Sequence, residues 1–307
     1  MEVGVGCCVA LYVMAQCDRK AELNHEAESK FISLERLVDV IEMPRGQDYP
    51  CTASRTLKCL CNRDLLRASV GRARGVVARR LGQLSDARRY FDEATSAANR
   101  ALASVGSVQP GLVGPAELAS AYDRSPFEVL ADVHYSHGYF WYEQRDAARA
   151  TTLFEQSIKA LAAGGAPESW DAPYTRLAIV HLLSGDLHRA TTFGLRARNI
   201  CKSTPPGANR EAPLSLALNT LALRVIEAKT KARLLSSEAE PMRELQLALD
   251  LEPPLTLGPL VCHRKDATLI LTQCDDERST RLATEFIECL QQAELDVYAA
   301  QRRSGRD

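Results

Sequence analysis

Small, aromatic and aliphatic positions recur at helical spacing along most of this chain, within long segments of Ala, Leu, Arg, Glu and Gln. Few β-branched runs are long enough to make a strand. The pattern predicts an all-α fold. Breaks fall at residues 43–50, 106–115, 164–167, 204–207 and 253–259, each carrying Pro and Gly. Between them lie segments of roughly 40 to 50 residues, each long enough for a pair of helices.

The segments repeat one another. Gly75, Gly82, Ala87, Phe91 and Ala94 form one series, and Gly138, Arg145, Ala150, Phe154 and Ser157 a second at the same spacing, with Arg145 in place of the glycine. Ala178, Gly185, Ala190, Gly194 and Ala197 form a third, with Gly194 where the aromatic stood. A helical hairpin explains the series physically. Small residues let two antiparallel helices approach closely, Gly82 or Gly185 turns the chain with φ > 0, and Phe91 or Phe154 fills the gap to the next pair.

This pattern resembles the tetratricopeptide repeat family. The resemblance continues faintly in Leu245, Ala248 and residues 249–253, in Ala15, Ala27, Phe31 and Leu34, and in Leu271, Ala283, Ile287 and Leu290. Phe91 to Phe154 is 63 residues and Phe154 to Gly194 is 40, against the family's usual spacing of about 34. Longer helices and an inserted loop near 106–126 are therefore expected. The implied architecture is an α-solenoid of antiparallel helix pairs: a degenerate N-terminal hairpin over 1–50, tetratricopeptide-like repeats over 51–207, and degenerate repeats with a capping helix over 208–307. In the family the first helix of each repeat lines a concave groove. That places Ser69, Arg72, Val76, Arg79 and Arg80 on the groove in one repeat, Asp132, Tyr135, Ser136, Tyr139, Tyr142 and Glu143 in the next, and Thr175, Arg176, Ile179 and Leu182 in the third.

Arg72, Val76, Arg79, Arg80, Tyr135, Tyr139, Tyr142 and Arg176 are the candidate binding residues. Arginine forks onto carboxylates and tyrosine buries a rigid ring at little entropic cost, so such a wall suits an acidic partner segment with apolar anchors. If those arginines are exposed, reversing Arg79 and Arg80 should leave stability nearly unchanged. The rival reading makes them a solvated helix face, with the tyrosines packed between repeats. Family members that clamp a chaperone's C-terminal carboxylate present Asn and Lys in the groove; Val76, Tyr139 and Ile179 stand near those places here, which disfavours that role.

Motifs for catalysis are wanting. Residues 106–114 lack the Lys and Ser/Thr of a P-loop, Gly4-Val5-Gly6 lacks the third glycine of a dinucleotide fingerprint, and no Gly-x-Ser-x-Gly elbow occurs. His134 and His137, with Cys59 and Cys61, raise a metal site. Yet His134, His137, Gly138 and Trp141 share the stripe facing their own repeat's second helix, where the next repeat holds Tyr174, Leu177, Ala178 and His181, so packing is the stronger reading. Neither an enzyme nor a cofactor is expected.

Composition narrows the partner. At 46% hydrophobic and 25% charged, with 38 Lys+Arg against 39 Asp+Glu, the 307-residue chain has a net charge of −1 and no whole-chain attraction to nucleic acid or anionic membrane. Residues 63–100 are basic and 227–296 acidic on balance, without a motif for sequence-specific nucleic-acid reading. The apolar run at 3–15 is too short to span a bilayer and reads as a buried helix. Ten scattered cysteines suit free thiols, hence the cytoplasm or an organelle matrix such as the mitochondrion. The expected function is a protein-protein interaction scaffold, or a subunit of a larger complex. A peptide- or metabolite-sensing regulator is the alternative, and an all-α enzyme with dispersed site residues a third.

Overall fold

The computed structural model describes residues 24–40, 53–106, 125–165, 170–205, 209, 211–235, 237, 240–251 and 255–303. Among them are eleven α-helices and no strand. They are α1 (Asn24–Val40), α2 (Ala53–Arg80), α3 (Leu84–Gly106), α4 (Pro126–Glu143), α5 (Ala147–Ala163), α6 (Ala172–Leu183), α7 (Leu187–Ser203), α8 (Ala212–Thr230), α9 (Glu240–Leu249), α10 (Leu257–Leu271) and α11 (Glu277–Arg303). The chain divides into two compact units, Met1–Pro167 and Glu168–Asp307. The division falls inside the 51–207 stretch that the sequence groups together. The apolar run at 3–15, the insertion at 107–124, Ala15 and residues 252–254 lie outside the described residues.

In the first unit α2 and α3 run antiparallel: Asp64 meets Arg100, Gly71 meets Ala94 and Gly75 meets Phe91. α4 and α5 repeat the arrangement, with Gly138 against Phe154 and Ser157 Oγ donating to the Ala131 carbonyl at 2.7 Å. The connecting turn is the same local structure in three places. Gly82, Arg145 and Gly185 adopt φ of 75°, 63° and 79°. The next residue's N–H then reaches back five positions, Gln83 to Ala78, Asp146 to Trp141 and Asp186 to His181, at 2.8, 3.0 and 2.9 Å. This is the Schellman closure of a helix. Arg145 makes it without a glycine. Asp146 and Asp186 then cap the following helix, their side chains accepting from the N–H groups of Arg149 and Arg189. α4 opens on a capping box between Ser125 and Glu128, with Pro126 in the first turn.

The first unit's core joins Phe31 and Leu34 of α1 to Leu66, Val70 and Val77 of α2, and joins Val76 and Phe91 to Phe140 of α4. Arg74 bridges three helices, donating to Glu28 of α1 and to the Tyr90 hydroxyl of α3. In the second unit α6 and α7 form the hairpin with the third positive-φ turn. α8 is buried from Ala212 to Glu227 on nearly every face, because α6, α7, α9, α10 and α11 all pack on it. α10 pairs with α11, whose Ala283, Phe286 and Leu290 are buried.

Candidate functional site

Of the eight candidate residues, seven lie in the first unit, four on α2 and three on α4, and Arg72, Arg79 and Tyr139 make contacts between the two helices. Arg72 Nε lies 3.2 Å from Asp132 Oδ2, and Arg79 Nη1 lies 2.7 Å from Glu143 Oε2. The Arg79 guanidinium also stands over the Tyr139 ring, 4.7 Å from its centroid. Tyr139 packs against Tyr135 and Tyr142, and both of these reach the Phe154 ring, at 5.7 and 6.4 Å between centroids. Val76, Tyr139 and Tyr142 are buried, whereas Arg80 and Tyr135 are half-buried.

The charges of Arg72 and Arg79 are answered by carboxylates one hairpin along. The Arg72 and Arg79 side chains are only 13% and 10% exposed, so the expectation of solvated arginines gives way: the acidic partners are the chain's own Asp132 and Glu143. Arg176 belongs to the second unit, where it is buried and paired with the fully buried Asp266 of α10.

The histidine stripe is a packing element. His137 stacks on Phe91 with rings 5.4 Å apart, and its Nε2 accepts from Trp141 Nε1 at 3.0 Å. His181 stacks on Phe193 in the same way. Burial, helped by neighbouring His137, pushes His134 down to about 4, so it stays neutral. Among the described residues no three His, Cys, Asp or Glu side chains gather as metal ligands. The side chains of Cys59 and Cys61 lie outside the description. Beside this stripe a surface cavity of about 460 Å³ is lined by Arg88, Asp92, His137, Trp141 and Arg149, with the Arg149 guanidinium 4.2 Å from the indole centroid.

The sequence did not disclose a polar row on α8. Ser215 Oγ lies 3.3 Å from His263 Nε2, Asn219 Nδ2 donates to Thr175 Oγ1 at 2.8 Å, and Thr220 Oγ1 accepts from Arg198 Nε at 3.4 Å. His263 Nδ1 donates to the Pro259 carbonyl at 2.8 Å, which leaves Nε2 as the acceptor for the serine. Burial, with Arg176 adding to it, pushes His263 down to about 3. A serine and a histidine in contact suggest a nucleophile and its base, yet this pair is buried and no carboxylate holds Nδ1, so the geometry suits a structural hydrogen bond. Cys201, Cys262, Cys274 and Cys289 are free thiols; Cys201 is buried and the other three half-buried.

No described helix is long and apolar enough to cross a membrane. No family model matches the chain, and no curated protein matches it. Among solved structures it is similar to BtubC (BKLC) from P. vanneervenii, at 13% sequence identity and a TM-score of 0.46 over 80% of this chain and 82% of that one.

Proposed function

We propose that the chain is a protein-interaction scaffold or assembly subunit built from tetratricopeptide-like hairpins of the α-solenoid type. The observation that supports this reading is the recurrence of one packing unit: a small residue, a left-handed turn seven positions on, and the packing partner sixteen positions on, at Gly75, Gly82 and Phe91, at Gly138, Arg145 and Phe154, and at Ala178, Gly185 and Gly194. Hairpins of this kind bury only against their neighbours and leave an extended surface, which is how helical repeats bind partner segments. The α2 and α4 wall is the surface proposed for that role. Its arginines already hold Asp132 and Glu143, so an acidic partner would exchange one carboxylate for another, and selectivity would rest on the half-buried Tyr135 and Arg80 at its edge.

The test is purification of the native protein with its bound material, followed by hydrogen exchange with and without the captured partner. A stoichiometric protein that protects residues 69–80 and 132–143 is the expected result. A partner that protects other segments moves the surface, and a bound small molecule in place of a protein favours the sensing regulator.

A further inference from the structure

The second unit contains a cavity whose walls are built with unusual care. α8 ends at Thr230, and Lys231 then takes the left-handed conformation, φ 57° and ψ 17°, which turns the chain back over the helix. The buried carboxylate of Glu227 holds the returning segment in place. Its Oε1 accepts from the backbone N–H groups of Leu234 and Leu235, and its Oε2 accepts from Arg224 Nη1. Both carboxylate oxygens of Glu227 are thereby engaged.

The rest of the Arg224 guanidinium is not. Nε and Nη2, the pair of nitrogens that forms the side-on fork, are buried and have no hydrogen-bond partner. Donors left unmade in this way are costly, and a guanidinium fork is matched by a carboxylate or phosphate. Arg224 and Glu227 line a cavity of about 580 Å³, within the range of small-molecule sites. The start of α11 forms another part of its wall, through Asp276, Arg278, Ser279 and Leu282. Lys231 and Arg233 are exposed at its edge and make no ion pair with a described residue. Four cationic side chains thus line the cavity with two carboxylates. Of these, Glu227 is engaged as described, and Asp276 caps α11 by accepting from the Ser279 N–H at 2.8 Å. Ala228, Leu235 and Leu282 supply an apolar surface between the charges.

We infer that this cavity binds a small organic anion, a carboxylate or phosphate on a compact apolar body, with the Nε and Nη2 edge of Arg224 as its fork and Lys231 and Arg233 as its outer charges. The site does not depend on the scaffold reading, and its loss would leave that reading intact.

Titration calorimetry of the full chain with benzoate and with phenyl phosphate tests it, each at low and high sodium chloride. One-site saturable binding of at least one probe, weakening as salt rises, is expected, and the stronger arm tells carboxylate from phosphate. Arg224→Lys keeps the charge and a contact for Glu227 but removes the fork, so affinity should fall about tenfold or more. Lys231→Asn together with Arg233→Gln should weaken binding several-fold with an unchanged melting temperature, whereas Arg281→Gln, exposed on α11 and paired with Glu285, should not alter it. The absence of saturable heat with both probes overturns the proposal, as does binding that survives both sets of substitutions. Should Arg224→Lys fail to fold, the Lys231 and Arg233 pair decides: lost affinity upholds the site and unchanged affinity overturns it.

Discussion

Gly138 lies against the ring of Phe154 so closely that a Cβ built on it would come within 2.9 Å of two ring carbons. Gly75 stands in the same relation to Phe91, at 2.8 Å. Gly138→Ala should therefore cost about 1 to 3 kcal/mol through displacement of the ring, and Ala150→Leu, at a fully buried position across the same hairpin, a similar amount. Chemical denaturation of each variant checks this. An unchanged midpoint for both would mean that the hairpin is not packed as described.

The three turns make a second, contrasting prediction. Nothing lies within 4 Å of a Cβ built on Gly185, so Gly185→Ala tests backbone conformation alone and should cost about 1 kcal/mol. Arg145→Gly runs the other way. The left-handed strain at Arg145 is relieved while the unfolded chain gains freedom, and the net effect should be a gain of up to about 1 kcal/mol. Thermal melts of the two variants should move in opposite directions.

Ion pairing supplies the third. Reversing Arg79 sets a second carboxylate beside Glu143, so Arg79→Glu should lower stability by about 1 to 3 kcal/mol, and the exchange Arg79→Glu with Glu143→Arg should restore most of it. In the second unit Arg176→Met alone leaves Asp266 buried without its partner, with an expected loss of about 3 to 5 kcal/mol. Adding Asp266→Leu should recover much of that. A double-mutant cycle by denaturation measures both couplings.

The fourth concerns acid. His134 and His263 are neutral in the folded chain, lowered from 6.5 to about 4 and about 3. Below pH 6.5 the unfolded chain binds their protons while the folded chain does not, so stability falls with pH until each folded value is passed. Burial raises Asp171 and Glu244, which act in the opposite sense and gain stability as they protonate. The variant isolates the histidine: His134→Met should flatten the decline between pH 6.5 and about 4 by up to about 1.4 kcal/mol per pH unit. Parallel slopes for variant and parent would show that His134 titrates normally.

What the sequence revealed and what it hid divide by the range of the interaction. The hairpins were legible because a small residue, a turn and the partner residue sixteen positions on lie within one local segment, and even Arg145 announced its turn by standing where glycine stands at 82 and 185. In the fainter copies Ala27, Phe31 and Leu34 are buried, as are Ala283 and Leu290, whereas Leu271 and Ile287 are half-buried. The ion pairs were not legible, although Asp132 and Glu143 were placed on the same wall, because the choice between facing solvent and facing Arg72 or Arg79 is made by how one hairpin stacks on the next. The contacts of Ser215 with His263 and of Arg176 with Asp266 join residues 48 and 90 positions apart, and no periodicity encodes such a meeting.

α8 illustrates what those distant contacts accomplish. A helix with apolar neighbours on every side has no stripe to set its rotation, and a roll about its own axis would exchange one Leu or Ala for another at little cost. Ser215, Asn219 and Thr220 remove that freedom, since each has its partner on a different neighbour, α10, α6 and α7. They act as the teeth of a key: at one angle all three engage a neighbouring helix, and a roll would give up those contacts and leave Asn219 and Thr220 only their bonds to the Ser215 and Leu216 carbonyls of their own helix. The apolar faces give the second unit its cohesion, and these three small polar groups give it a single alignment.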